Sequence, residues 1–340
     1  MLITNINQVT PDWLTDVLQQ SGILDAGSVI DIHFSDDSFS HGGESSSRSF
    51  AVTYSQSLPE TIPRYFFLKI GSRKPEVDFY NHIAPLMTSM PILRCFDAVY
   101  ENGTSHLLFE NLSATHGAPE DVLPPTVALT KRMIDIVVPL HVQFWENPTL
   151  TGEYQPYLDD VPGFILGQAQ QHFGRFVDVM GDRLPPNFHR IYEKVLAAMP
   201  LPEWQERLKN NRMMTLVHGD PHPYNFLFSR NDSSDIYLLD WAVWHRQLGT
   251  FDIFYMMDRR AGRRELVEEP LVRYYHEQLL AHGVIGYDWQ QCWHDYQLAI
   301  VSFLPFNIFW FAHGTPPDIW YNSLYDSVNT FISLHCEELV

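Results

Sequence analysis

Cysteine is scarce in this chain: three in 340 residues, Cys95, Cys292 and Cys336, odd in number and far apart. That spacing gives no disulfide framework and no Cys-x-x-Cys metal site. Bases are also few. Lys and Arg number 22 against 41 Asp and Glu, for a formal net charge of −19. The basic footprint that a nucleic-acid partner requires is missing, so no nucleic acid is expected as a partner. Long apolar runs are absent too. The longest, residues 299–312, is broken by Ser302, Pro305 and Asn307, and a membrane span needs about 20 apolar residues. No signal-peptide pattern opens the chain, and neither an internal repeat nor a low-complexity segment is visible. The expectation is a soluble cytoplasmic protein with no membrane association. What remains is a globular composition, 45% hydrophobic and 19% charged, with length enough for two lobes. The acidity would attract cationic ligands.

The chemistry concentrates in one stretch: His218-Gly219-Asp220-Pro221-His222-Pro223-Tyr224-Asn225, followed by Leu238-Leu239-Asp240-Trp241. Apolar runs at 214–217 and 235–239 read as the segments that deliver Asp220 and Asp240. Two prolines keep the intervening loop out of a helix. Asp220, Asn225 and Asp240 then sit on loops or strand ends, where carboxylate and amide oxygens can converge. Such oxygens suit Mg2+, which takes one or two carboxylates plus phosphate oxygens. One acid is left to act on a hydroxyl. Two plainer readings compete. His218 and His222 are four apart, as in a zinc-binding helix, but Pro221 and Pro223 forbid that helix. An ordinary polar turn would also use Asp, Asn, Pro and Gly, yet it leaves the flanking runs and the second Asp as coincidences. The His218 imidazole reads as a brace for the loop rather than a catalyst.

The pattern resembles the catalytic loop and metal-binding segment of the aminoglycoside phosphotransferase / choline kinase superfamily, a distant relative of the protein kinases. Asp220 and Asn225 have the same five-residue offset as the catalytic Asp and metal-binding Asn of protein kinases, and Asp240 falls where they carry the Asp of D-F-G. Thr10-x-Asp12-Trp13-Leu14 and Ser46-x-Arg48 look closest to the ecdysteroid-kinase-like (CHK-like) small-molecule kinases. The resemblance implies an α+β, bilobal, protein-kinase-like fold. Residues 1–112 would form a small antiparallel β-sheet N-lobe, and residues 113–340 a larger, mostly α-helical C-lobe.

Several segments fit that expectation. Thr10 caps a helix that Gly22 closes. Strands at 29–34 and 50–54 flank a small polar loop. There Gly43, with Gly42, allows close backbone approach to nucleotide phosphates, and Ser46 and Ser47 add donors. Residues 65–70 read as a strand carrying Lys69, either an edge-strand lysine or the nucleotide lysine. A helix opening at Glu76 supplies its partner, with Asp78 as the second choice. A hairpin crosses Asn102-Gly103. It leads to Leu107-Leu-Phe-Glu-Asn-Leu, which resembles the family hinge, where main-chain groups of Glu110, Asn111 and Leu112 would meet adenine.

The second lobe reads as helices at 126–145, with Pro139 inside, 164–179, 188–198 and 203–210. His141 and Asp252 read as structural, Asp252 as a brace of the catalytic loop by resemblance. Arg259, Arg260, Arg263 and Arg264 read as a solvated helix end or, second, an anion site. The aromatic tail from Tyr274 onward is mostly core. Its remainder could stack on a flat apolar substrate or hold a cation, with Asp288, Asp295 and Asp318 nearby.

The resemblance implies ATP- and Mg2+-dependent phosphorylation of a hydroxyl on a small molecule by a monomer or homodimer. Asp220 would be catalytic. Lys69, Glu76, Gly43, Ser46, Ser47, Glu110, Asn111 and Leu112 would bind nucleotide, and Asn225 and Asp240 the metal. Candidate acceptors are aminoglycosides or other amino-alcohols, macrolides, sterol-like polyols and specialised metabolites. The alternative is a nucleotide-binding pseudokinase acting as a regulatory scaffold, although the full Lys, Asp, Asn, Asp set argues against it. Protein-substrate kinase activity is disfavoured by the missing H-R-D arginine, D-F-G and A-P-E segments.

Overall fold

The computed structural model of the chain describes residues 1–41, 45–87, 91–117, 126–151, 155–231, 235–257 and 264–340. Gly43 and three of the four clustered arginines, Arg259, Arg260 and Arg263, lie outside the described residues. The chain divides into two compact units, Met1–Ala118 with Phe226–Ala242, and Pro119–Asn225 with Val243–Val340.

The first unit is an antiparallel sheet with one covering helix. Thr10 starts α1 (Pro11–Gln20), its hydroxyl accepting the Trp13 N–H at 3.2 Å, and Pro11 follows at the first helical position, where its missing N–H is no loss. The five strands are β1 (Val29–His41), β2 (Ser45–Tyr54), β3 (Tyr65–Gly71), β4 (Cys95–Glu101) and β5 (Thr104–Glu110), in the order β1-β2-β3-β5-β4. Trp13, Leu14 and Leu18 of α1 pack with Phe50, Phe66 and Leu108 into one core.

The β1–β2 hairpin is longer than the sequence reading. Pairing runs on through Phe39↔Ser47 and His41↔Ser45, so Ser46 and Ser47 belong to a strand and not to the polar loop. Serine has no helical or strand periodicity of its own to announce this, and the backbone ladder decides it. The β4–β5 turn is formed by Asn102 and Gly103, both at positive φ. The right-handed strand twist selects that geometry.

After β3 comes α2 (Lys74–Asp78), continuing as a π-helical turn at Phe79–Ile83. Two further strands, β8 (Phe226–Ser229) and β9 (Ile236–Leu238), join this unit through pairing with β6 (His116–Gly117), in the order β6-β8-β9. Leu238 also bridges to Ile92. The segment that carries Asp240 is therefore part of the sheet-rich unit.

The second unit is mostly helical, with α3 (Val127–Gln143), α4 (Gln155–Met180), α5 (Pro186–Ala198), α6 (Pro202–Asn210), α7 (Thr250–Met257), α8 (Arg264–Ala281), α9 (Trp289–Ala312) and α10 (Pro317–Ser333). The apolar helix α9 is its centre, with α4, α7 and α10 packed around it. A short ladder of β7 (Thr215–Val217) with β10 (His245–Gln247) is fully buried. No helix among the described residues is long and apolar enough to cross a membrane.

Candidate active site

In the first unit the acid-rich segment meets the lysine of β3. Lys69 stands opposite Ser47 in the β2–β3 ladder. Its Nζ lies 2.6 Å from the Glu76 carboxylate and 3.0 Å from Oδ1 of Asp240. Asp78, the second choice as partner, instead pairs with Lys74 one turn earlier. Glu76 is almost fully buried. Burial raises its carboxyl above the usual range, and the Lys69 charge only partly offsets this. For Lys69, burial works against the ammonium, but Glu76 and Asp240 outweigh it and the group is raised, so the cation persists.

Asp240 itself sits at φ +60°, a left-handed conformation uncommon outside glycine, although Asp and Asn tolerate it best. The adjacent Trp241 is fully buried and stacks on Phe79 with ring centroids 3.9 Å apart and planes 8° apart. That stack joins the Asp240 segment to the helix that carries Glu76. Arg73, which the sequence reading passed over, also reaches Oδ1 of Asp240, at 3.2 Å. A lone arginine four residues after Lys69, just outside β3, carries no pattern that would single it out.

The expected hinge is largely occupied by its own structure. The Glu110 N–H donates to the Arg94 carbonyl and the Asn111 N–H to that of Tyr65. The Leu112 carbonyl accepts the Thr115 and His116 N–H groups. The Asn111 side chain donates to Ser49 and accepts the Ser113 N–H. Of the three main-chain donors, that of Leu112 alone makes no hydrogen bond among the described residues.

In the second unit the loop His218–Asn225 is irregular and ends in a short 3-10 turn, Pro223–Asn225; a zinc-binding helix does not form. Its conformation is imposed from below by Asp252. Oδ2 of that carboxylate accepts the His218 N–H at 2.8 Å, and Oδ1 accepts the Gly219 N–H at 3.0 Å. His141 Nε2 lies 3.2 Å from Oδ2, and His141 Nδ1 lies 2.8 Å from the Tyr275 hydroxyl. Burial holds Tyr275 well above its ordinary pKa. The phenol therefore keeps its proton and donates to Nδ1, which leaves Nε2–H for Asp252. Burial alone would raise Asp252, but these donors outweigh it and the carboxyl is lowered. Asp252 is thus an anion under the loop at neutral pH. Tyr275 lies 134 residues from His141, too far for a sequence pattern to connect them.

Gly219 is required where it stands. Its φ is +84°, and an added Cβ would lie 2.4 Å from the Val243 carbonyl oxygen and 3.0 Å from the His245 ring. His245 is fully buried and lowered by that burial. Within the loop, the His218 ring accepts the Asp220 N–H at 3.2 Å. The Asp220 carbonyl takes both the His222 N–H and the Asn225 amide, each at 2.8 Å. The Asn225 amide nitrogen is thereby fixed on Asp220, and its oxygen is the end left for a cation. The Asp220 carboxylate is about one-third exposed, with His222 Nε2 at 3.7 Å.

Asp240 in the first unit offers a carboxylate, and Asn225 in the second offers an amide oxygen. No cluster of three or more His, Cys, Asp or Glu side chains suited to a metal occurs among the described residues. Hard oxygen donors of this kind suit an ion such as Mg2+, which takes few protein ligands and completes its shell with water and phosphate, better than Zn2+.

The first unit thus holds a sheet-borne lysine–glutamate pair beside an aspartate, and the second holds an aspartate on a braced loop. Residues 41–292 match the phosphotransferase enzyme family, and the chain belongs to that family. No curated protein matches it. Among solved structures it is similar to a putative aminoglycoside phosphotransferase from Ralstonia eutropha JMP134, with 13% identity and a TM-score of 0.52 over 95% of each chain. An ethanolamine kinase of Plasmodium vivax shows 10% identity and a TM-score of 0.55, over 91% of this chain and 83% of its own. The streptomycin–ATP ternary complex of APH(2″)-IIa shows 12% identity and a TM-score of 0.50, over 98% and 99%. At such identities the likeness is one of fold, and that fold is the kinase-like one.

Proposed function

We propose that this chain transfers the γ-phosphoryl group of ATP to a hydroxyl of a small molecule, as a cytoplasmic enzyme. The observation that carries the reading is the ion-paired Lys69–Glu76–Asp240 cluster. A scaffold has no need of a lysine held charged in a buried site beside two acids. In this reading Glu76 orients Lys69, and Lys69 contacts the nucleotide phosphates. Ser46 and Ser47 line the same strand pair, and the Leu112 N–H is the main-chain donor available to adenine. Asn225 and Asp240 are the proposed ligands of Mg2+, which would neutralise charge on the phosphate oxygens. Asp220 accepts the proton of the acceptor hydroxyl as its oxygen bonds to phosphorus and the bond to the ADP oxygen breaks. Phosphoryl transfer is mostly orientation and charge stabilisation, and both loops are built to hold position.

The acceptor is proposed as a hydroxylated small molecule: an antibiotic, an amino-alcohol, a sterol-like polyol or another metabolite. A net charge of −19 favours cationic members of that set, and streptomycin and ethanolamine appear in the names of two structural neighbours. Thermal shift with MgATP, MgGTP and metal-free nucleotide, followed by a library of hydroxylated compounds, tests the proposal. A ligand at about 100 times its Kd adds roughly 2.7 kcal/mol to the folded state. Asp220→Asn should retain nucleotide binding and lose about 10^2 to 10^4 in turnover. No response to any nucleotide would move the reading to a scaffold, and near-normal kcat in Asp220→Asn would remove that residue from its role.

A further inference from the structure

Two cations share one oxygen of Asp240. Lys69 Nζ is 3.0 Å and Arg73 Nη1 3.2 Å from Oδ1. Lys69 has Glu76 as a second partner at 2.6 Å. Arg73 has no other side-chain partner among the described residues, and it is the more exposed cation, 41% against 17%. Its backbone is nonetheless fixed, because its N–H donates to the Ser105 hydroxyl at 3.2 Å and it leads directly into α2. A guanidinium so placed can swing through several ångströms while its Cα stays still. It carries five N–H donors in a fork that matches phosphate oxygens.

We infer that Arg73 is an exchangeable counter-ion of Asp240: it holds the carboxylate while the nucleotide is absent and passes to the nucleotide phosphates when the metal–nucleotide complex arrives. The inference rests on the reading of Asp240 as a metal ligand. Charge dictates its direction. Arg73 and Lys69, paired on Oδ1 of Asp240, repel a bare divalent ion from that carboxylate. A metal that arrives with a polyphosphate brings the anion that takes Arg73 away. The chain would thus bind metal poorly by itself and bind the metal–nucleotide complex well, and Arg73 pushes the two affinities in opposite directions.

Titrations of Mg2+ alone, and of ATP at saturating Mg2+, followed by calorimetry or melting temperature, test this in wild type, Arg73→Gln, Arg73→Lys and Asp240→Asn. Removing one unit charge roughly 6 Å from a divalent ion is worth about tenfold at the dielectric of water, and more where the site is less solvated. Arg73→Gln should bind Mg2+ alone about tenfold more tightly and MgATP about tenfold more weakly, and Arg73→Lys should restore most of both. Asp240→Asn should lose the Mg2+ response. If Arg73→Gln moves both affinities the same way, or neither, the exchange role is overturned while the assignment of Asp240 stands. If Asp240→Asn keeps wild-type Mg2+ binding, the metal reading of Asp240 fails, and the proposal falls with it.

Discussion

Replacing Asp252 by Asn probes the brace under the catalytic loop by exchanging one oxygen for an NH2 group. In the native protein two carboxylate oxygens serve three donors: the His218 and Gly219 N–H groups at 2.8 and 3.0 Å, and His141 Nε2 at 3.2 Å. Asparagine keeps one acceptor and sets two N–H donors where the other stood. His141 can repair one contact by shifting its proton to Nδ1, donating to Tyr275 and accepting from the new amide. One buried main-chain N–H is then left without an acceptor, at about 1–3 kcal/mol, and the charge-assisted character of the surviving bonds is lost, at a further ~1 kcal/mol or more. The expected destabilisation is about 3 kcal/mol. For a unit of some 150–250 residues each kcal/mol lowers Tm by roughly 2–4 °C, so Asp252→Asn should melt about 6–12 °C below wild type at pH 7.5, followed by circular dichroism. The pH dependence adds a second test. A carboxyl lowered in the folded state stabilises above its unfolded value, about 3.9, and loses that contribution as pH falls through the folded value. The gap between variant and wild type should therefore close in strong acid. An Asp252→Asn protein that melts within about 2 °C of wild type at pH 7.5 would refute the brace.

Three further outcomes are expected. Gly219→Ala must place a Cβ 2.4 Å from a carbonyl oxygen at φ +84°. The left-handed conformation alone costs about 1–2 kcal/mol, so both Tm and turnover should drop, and a wild-type melt would contradict the geometry. Trp241→Ala removes a fully buried ring stacked on Phe79. It should lose about 3–5 kcal/mol in urea unfolding, with Trp241→Phe losing clearly less. His245 is buried and lowered, so below about pH 6.5 the unfolded chain takes up a proton that the native state refuses, and stability falls by up to about 1.4 kcal/mol per pH unit. His245→Gln should flatten that acid limb, and an unchanged slope would assign it to other groups.

The candidate site was legible where its residues are compressed into neighbouring positions. Asp220 with Asn225, and the Asp240 segment, announce themselves because loop, proline and acid fall within a few positions of one another. Lys69 and Glu76 were legible because a lone charge in an apolar strand is conspicuous and its partner lies in the first turn of the next element. β8 and β10 were not, because three or four residues complete too little of a period to register. Nor could the polar character of residues 45–47 reveal a strand whose evidence is the ladder on either side. The Tyr275–His141–Asp252 relay and the Arg73–Asp240 contact are long-range pairings. Each member looks ordinary alone, and proximity in the folded chain is what gives them meaning.

The membership of Phe226–Ala242 in the first unit has a consequence for anyone who would take the protein apart. The backbone passes between the two units at three places, after Ala118, Asn225 and Ala242. A single cut therefore cannot yield two self-sufficient pieces. A fragment ending at Ala118 would keep Lys69, Glu76 and Arg73 but forfeit Asp240. It would also leave β6 without the strand that pairs with it, and so expose an open edge of the kind that recruits other chains. Complementation would succeed only if the short β8–β9 insert were supplied in trans or grafted onto the N-terminal piece, so nicked or prematurely ended chains of this protein should aggregate rather than persist as a folded half.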